Sequence, residues 1–334
     1  MDKLYEVFRK SLDSISIINL YCIQINRMNL KHFVEAQQLN QKTIFSLFNS
    51  ADEIRVTLAN HAQDLWDKVL ATLFYEPSTR TRLSFETAML RLGGKVISTE
   101  NAKEFSSAAK GESIEDTIRI TAGYSDVIVL RHYEEGAAKK AAEVSKVPVI
   151  NAGDGRGQHP TQALLDAYTI YRELGRLNNL KIVFAGDLAS GRTARSLCYL
   201  LGKFEGISII FVSPDNLKMR EDIKQYLTKH NVQFREEQDL NKVLPEADVI
   251  YMTRIQKERI SPEDYEKAKG KFVINEGNLH LVKPESRIMH PLPHVEEIDL
   301  PIKIEEIDSR VAYFRQSENG LYIRMALLNA LLKH

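Results

Sequence analysis

Apolar positions along this chain fall into two patterns, short unbroken runs and stripes at helical spacing, and the two alternate over most of its length. Runs at Val69–Tyr75, Lys95–Ser98, Asp126–Leu130 and Val147–Ile150 predict strands in the first half. Lys181–Ala185, Ser208–Val212, Gln233–Arg235, Asp248–Met252, Phe272–Ile274 and Arg287–Met289 predict strands in the second. Helical stripes lie between them. Ile44, Leu47, Phe48, Ala51, Ile54 and Leu58 trace one face, and Leu83, Ala88 and Leu90 belong to another helix that Gly93-Gly94 ends. Ser113-x-x-Asp116 opens a helix with a capping-box-like pattern, Gly136–Ser145 is Ala/Lys-rich, and Thr161–Leu174 closes at Gly175. Asp215 is expected to cap the helix after Pro214, and Ala312–Leu332 is a long apolar-faced helix placed to pack back on the first half.

Strand–helix units repeated at this length imply an α/β fold with two doubly wound parallel-sheet domains joined by interdomain helices. The expected division is residues 28–165 plus 315–334 for one domain and 166–314 for the other. Residues 1–27 form an N-terminal extension of unassigned role. They carry Ile15, Ile17, Ile18 and Leu20 without a basic leader or a small-residue cleavage site, and read as an amphipathic helix or as sequence upstream of a start at Met28.

Composition narrows the function by exclusion. Forty-five basic residues balance 45 acidic ones, so net charge points to neither nucleic acid nor a membrane surface, and anion binding must come from local clusters. Cys22 and Cys198 offer no zinc spacing and no disulfide framework, which fits a reducing cytoplasm. No apolar run approaches membrane-spanning length.

Ligands of doubly wound sheets collect at the carboxyl ends of strands, and the polar exceptions in this sequence fall there. Ser78, Thr79, Arg80 and Thr81 stand on a strand-to-helix turn, where unpaired backbone N–H groups and the helix dipole attract anions. Other strands deliver Arg131, then His159 and Gln162, then Arg192, then Arg254 and Gln256, and last the turn His290–Pro293. Any one of these could be a cap or a surface residue; His132 reads as structural. Glu76 reads as surface charge or as a partner for Arg192 or Arg259. The chain lacks GxSxG, HExxH and GxxxxGK[ST] patterns, and AGDLASGR lacks the GxGxxG order. Asp154 and Asp187 are single acids in loops, so neither a metal nor a cofactor is expected. Arg80, Arg131, Arg192 and Arg254 around a neutral His159 suit two polyanionic small substrates whose reaction builds charge on an oxygen.

FYEPSTRTRLSFE, GDGRGQHPTQALLD, GDLASGRTARS, MTRIQKER and HPLP occur in one order along the chain, and together they resemble the aspartate and ornithine carbamoyltransferase family from Met28 onward. TRIQKER and HPLP match its aspartate branch, whereas the ornithine branch carries an HCLP-type motif. The resemblance implies carbamoyl transfer from carbamoyl phosphate to the α-amino group of L-aspartate, a step of pyrimidine synthesis. Another amine such as ornithine, or a silent anion-binding paralogue, is the alternative. It implies that residues 28–165 plus 315–334 bind carbamoyl phosphate and that residues 166–314 bind aspartate. Ser78, Thr79, Arg80 and Thr81 would hold the phosphate, with Arg131, His159 and Thr81 on the carbonyl oxygen. Gln162 and the carbonyls of Pro291 and Leu292 would orient the carbamoyl NH2. Arg192, Arg254 and Gln256 would clamp aspartate. Ser106 and Lys110 match loop residues that enter a neighbouring subunit's site, implying a homotrimer with shared sites. RHYEEGAAKKAAE resembles a stretch of catalytic chains that join regulatory chains. One departure stands out: the family continues HPLP with arginine, and here His294 follows, which replaces a fixed charge by a titrating one and predicts a more pH-sensitive loop.

Overall fold

The computed structural model describes residues 30–255, 262–268 and 270–333. Gln256, Arg259 and the extension 1–27 lie outside the described residues. From Lys31 onward the chain forms one compact unit built on two parallel sheets.

The first sheet takes β1 (Val69–Phe74), β2 (Lys95–Glu100), β3 (Val127–His132) and β4 (Val149–Asp154) in the order β2-β1-β3-β4. The second takes β5 (Lys181–Ala185), β6 (Ser208–Val212), β7 (Gln233–Glu237), β8 (Val249–Met252) and β10 (Arg287–Met289) in the order β10-β8-β5-β6-β7. Between these last two in sequence, β9 (Ile274–Asn275) pairs with β11 (Ile298–Asp299) as a separate small ladder. Burial explains which runs read clearly. The inner strands β1, β3, β5, β6 and β8 are buried and dominated by apolar residues, as parallel strands covered on both faces are, and the edge strand β4 is buried as well, while the edges β2 and β7 are more exposed and mixed.

Helices α1 (Gln41–Val56), α2 (Thr79–Arg91), α3 (Ile114–Thr121), α4 (Ala137–Val144), α5 (Pro160–Leu174), α6 (Arg192–Leu201), α7 (Glu221–Lys229) and α8 (Tyr313–Leu332) flank the sheets. On α1 the expected stripe Ile44, Leu47, Phe48, Ala51 and Ile54 is buried. On α2 the buried face is Thr81, Phe85, Ala88 and Met89; Leu83 and Leu90 are exposed, because they lie off the arc facing the sheet. Ser113 caps α3 by accepting from the backbone N–H of Asp116 at 3.1 Å. Asp215 caps no α-helix: it opens a single 3-10 turn, and α7 starts later, behind Arg220. The last helix, α8, packs on α1, α2 and α5, so the chain's end returns to the first sheet's side.

Candidate active site

Each sheet reverses its direction of strand addition at one point, between β1 and β3 in the first and between β5 and β8 in the second. The loops leaving those strands border one cleft of about 800 Å3. Glu76–Thr81 follow β1, Arg131 is the penultimate residue of β3, His159 and Gln162 follow β4, Ser190–Thr193 follow β5, Thr253 and Arg254 follow β8, and His290–Pro293 follow β10. Three helices begin at its wall. Ser78, His159 and Gly191, the N-cap residues of α2, α5 and α6, supply no side-chain cap bond, and the three helices direct their positive dipole ends toward the same space. The Ser78 hydroxyl is thus a cleft group, not a helix cap.

Two of the arginines are held by backbone carbonyls and share one carboxylate. Arg131 donates from Nη1 to the Ala152 carbonyl at 3.2 Å, and Arg192 from Nη1 to the Gly155 carbonyl at 2.7 Å. Glu76 stands between them, with Oε2 3.5 Å from Arg131 and 3.6 Å from Arg192. Both guanidinium groups pass over Gly153. A Cβ there would lie 2.9 Å from Nη1 of Arg131 and 3.0 Å from Cζ of Arg192, and the backbone φ is +112°. The φ favours glycine, and any Cβ there would have to push the guanidinium groups aside. Arg80 is exposed at the cleft and makes no ion pair among the described residues. Burial, and then the charges of Arg192, Arg131 and Arg324, hold the His159 imidazole well below the ordinary histidine range, so it is neutral. Its Nδ1 lies 3.3 Å from the Thr161 hydroxyl; accepting there puts the ring proton on Nε2.

Under the cleft lies a buried polar hub. Asp166, fully buried on α5, accepts from Gln162 Nε2 at 2.9 Å, Gln316 Nε2 at 2.6 Å and the Tyr251 hydroxyl at 2.7 Å. Gln316 in turn accepts from the His290 backbone N–H at 2.9 Å, tying α8 to the turn after β10. Within that turn, His290 Nδ1 accepts from the Leu292 N–H at 2.8 Å, and its Nε2 lies 2.8 Å from Glu297. Arg324, on α8, is 4% exposed, stacks over Phe85 and lines the cleft.

Of the residues expected from the sequence, Ser78, Thr79, Arg80, Thr81, Arg131, His159, Gln162, Arg192, Arg254, Pro291 and Leu292 are brought together here. Ser106 and Lys110 are not on this cleft: Lys110 is exposed on a short 3-10 turn, and Ser106 borders a smaller pocket beside Tyr75. His132 is buried, accepts from the Glu134 N–H at 3.0 Å and stacks on Tyr133, away from the cleft. Asp154 accepts from the backbone N–H groups of Gln158 and Gly136, and Asp187 from that of Ser190; both acids organise loops. Among the described residues no three His, Cys, Asp or Glu side chains gather as metal ligands. Sequence reading missed Gln316 and Arg324 as cleft residues and Asp166 beneath them. The available signal was polarity on otherwise buried helices: Gln316, Asn319 and Arg324 interrupt the apolar face of α8.

Two family models match the chain: the carbamoyl phosphate-binding domain of aspartate/ornithine carbamoyltransferases over residues 31–172, and their Asp/Orn-binding domain over residues 178–331. Aspartate carbamoyltransferase 1, chloroplastic, of Pisum sativum is 54% identical over 310 residues, covering 92% of this chain and 80% of that protein. The catalytic subunit of Methanocaldococcus jannaschii aspartate transcarbamoylase is 48% identical, with a TM-score of 0.83 over 90% of this chain and 98% of that one. Trypanosoma cruzi aspartate transcarbamoylase, in complex with carbamoyl phosphate and aspartate, is 35% identical with a TM-score of 0.85, covering 92% of this chain and 97% of that one.

Proposed function

The chain belongs to the aspartate/ornithine carbamoyltransferase family, and from that premise we propose that it acts as an aspartate carbamoyltransferase. It transfers the carbamoyl group of carbamoyl phosphate to the α-amino group of L-aspartate, giving N-carbamoyl-L-aspartate and phosphate, a reaction that serves pyrimidine synthesis. The observation that carries this reading is the division of the cleft: a helix N-terminus bearing Ser78–Thr81 on one sheet faces the arginines Arg192 and Arg254 from the other.

Ser78, Thr79, Arg80 and Thr81 hold the phosphate. The neutral α-amino nitrogen of aspartate attacks the carbamoyl carbon, the carbonyl oxygen takes the charge, and the bond to the phosphate oxygen then breaks. Arg131, Thr81 and His159 stabilise that oxyanion; one preorganised donor is typically worth about 2.7–4 kcal/mol. The released phosphate accepts the proton shed by the new C–N bond, so no covalent intermediate and no protein base is needed. Gln162 and the carbonyls of Pro291 and Leu292 orient the carbamoyl NH2, while Arg192, Arg254 and Gln256 hold the two carboxylates of aspartate. Gathering two anions that repel in water is itself a large part of the acceleration.

Residues 28–165 plus 315–334 form the carbamoyl phosphate half in this reading and residues 166–314 the aspartate half; the packing of α8 on α1 and α2 supports that grouping. Ser106 and Lys110 serve the site of a neighbouring chain in a homotrimer, consistent with their place off their own cleft. A regulatory chain docking near RHYEEGAAKKAAE is a further element of the proposal. A reducing cytoplasm is proposed on the buried, unpaired Cys198 thiol; the name of the pea relative places that protein in the chloroplast, and fractionation separates the two. The reaction is tested by phosphate release from carbamoyl phosphate with purified chain. Saturation by L-aspartate is expected; release with L-ornithine alone overturns the assignment.

A further inference from the structure

Resting on the carbamoyl transfer proposed above, the geometry points to Asp166 as a positioning residue: it fixes the Gln162 carboxamide with its oxygen toward the cleft, where that oxygen selects an NH2 group over a methyl on the acyl phosphate. The orientation follows from donors and acceptors alone. The backbone N–H of His290 can only donate, and it donates to Gln316 Oε1 at 2.9 Å, so Gln316 must turn Nε2 toward Asp166. Asp166 Oδ1 accordingly accepts from Gln316 at 2.6 Å and accepts Gln162 Nε2 at 2.9 Å beside it. Oδ2 faces the Tyr251 hydroxyl at 2.7 Å, and a hydroxyl serves as donor or acceptor. A proton on the carboxyl therefore has its place on Oδ2, and Oδ1 keeps both glutamines in either charge state.

Gln162 lines the cleft, and its side chain spends its NH2 on Asp166, leaving Oε1 for a ligand. Through Gln316 the same carboxyl oxygen also holds the His290 backbone, and with it the turn that carries the Pro291 and Leu292 carbonyls. One buried group thus aligns acceptors on two sides of the space proposed for the carbamoyl nitrogen. Carbamoyl phosphate and acetyl phosphate have nearly the same shape and the same phosphate, and differ at this nitrogen. An array of acceptors rejects the methyl compound because its own oxygens are left unpaired.

The test compares, in the full chain, the Ki of acetyl phosphate with the KM of carbamoyl phosphate. Asp166→Ala frees Gln162 to rotate and should lower the ratio of Ki to KM by about tenfold, what about 1.4 kcal/mol of hydrogen bonding amounts to. Asp166→Asn should stay within about threefold of the unaltered chain, because its carbonyl oxygen can take both glutamine donors while its NH2 meets the Tyr251 oxygen. General loosening of the site weakens both compounds and leaves the ratio still. An active Asp166→Ala enzyme with an unchanged ratio overturns the inference. Should that variant fail to fold, the unaltered chain decides: the Gln162 side-chain amide, identified by its loss in Gln162→Met, should be downfield-shifted and slow to exchange, and a solvent-like amide contradicts the assignment. Absence of aspartate carbamoylation by the unaltered chain would count against the reaction itself, and the amide signal would still decide the orientation.

Discussion

His159 sits buried among Arg131, Arg192 and Arg324, and both burial and those charges favour its neutral ring. As pH falls through about 6.5, an ordinary histidine gains a proton, but His159 should not. Its ring signals should hold constant from pH 8 down to about 6 in an NMR titration, and a midpoint in the ordinary range would remove it as the neutral donor. Glu76 makes a different case. It stands between Arg131 and Arg192, so Glu76→Ala should lower kcat/KM for aspartate by about tenfold, or about 1.4 kcal/mol; unchanged constants would reduce it to surface charge. The sequence disclosed the arginines of the cleft well, since Arg80, Arg131, Arg192 and Arg254 each come after a strand run. It did not disclose Asp166 or Gln316. A buried polar residue is intelligible by its partners, and Asp166 meets Gln316 across 150 positions of chain.

At the scale of elements, Gly153 brings a loop against the chemistry. Gly153→Ala should disturb both arginines at once, through the contacts at 2.9 and 3.0 Å and through the +112° φ. A loss of at least tenfold in kcat/KM is expected, about 1.4 kcal/mol or more, and wild-type kinetics in a folded variant would contradict that close approach. The turn after β10 carries the other element-level prediction. His294 lies 3.3 Å from Glu305 and packs edge-on against Tyr313, so the imidazole has its own carboxylate and aromatic partners. His294→Arg should disrupt that packing and change kcat/KM, and unchanged kinetics would show that the turn does not feel this side chain. Strands were legible because buried parallel strands are continuous apolar runs, and β5 and β6 match their expected limits. Helix faces were less so: spacing alone cannot say that Phe85 and Met89, not Leu83 and Leu90, meet the sheet. Asp215 shows a related limit, since a capping residue after Pro214 also suits the 3-10 turn that forms.

Across the whole molecule, the buried hub links α5, β8 and α8, and its cost should register in stability. Burial raises the Asp166 pKa to about 7 against the opposing pull of Tyr251, Gln316 and Gln162. The folded chain then binds more protons than the unfolded chain between about pH 4 and 7, so this group's contribution to stability is lost as pH rises through that window. Asp166→Asn removes that titration and should gain stability relative to the unaltered chain as pH goes from about 4 to 7; parallel curves in chemical unfolding would contradict it. The homotrimer proposal has its own test. Arg80→Ala and Lys110→Ala chains, each inactive alone, should recover activity when dissociated and mixed, because some sites then draw both intact residues from different chains. No recovery in mixed trimers would place Lys110 outside the site. The two-sheet plan was legible from the alternation of runs and stripes, yet the cleft between the sheets depends on packing that no single segment specifies.

The most direct measurement follows the carbamoyl carbon itself. Carbamoyl phosphate labelled with carbon-13 at that carbon is incubated with purified chain and L-aspartate, and in parallel with L-ornithine, and the label is followed by NMR. The account predicts that the label appears in N-carbamoyl-L-aspartate at a rate that saturates with aspartate and collapses in Arg80→Ala. Transfer to ornithine instead, or label that reaches neither amine while carbamoyl phosphate merely decays, would contradict it.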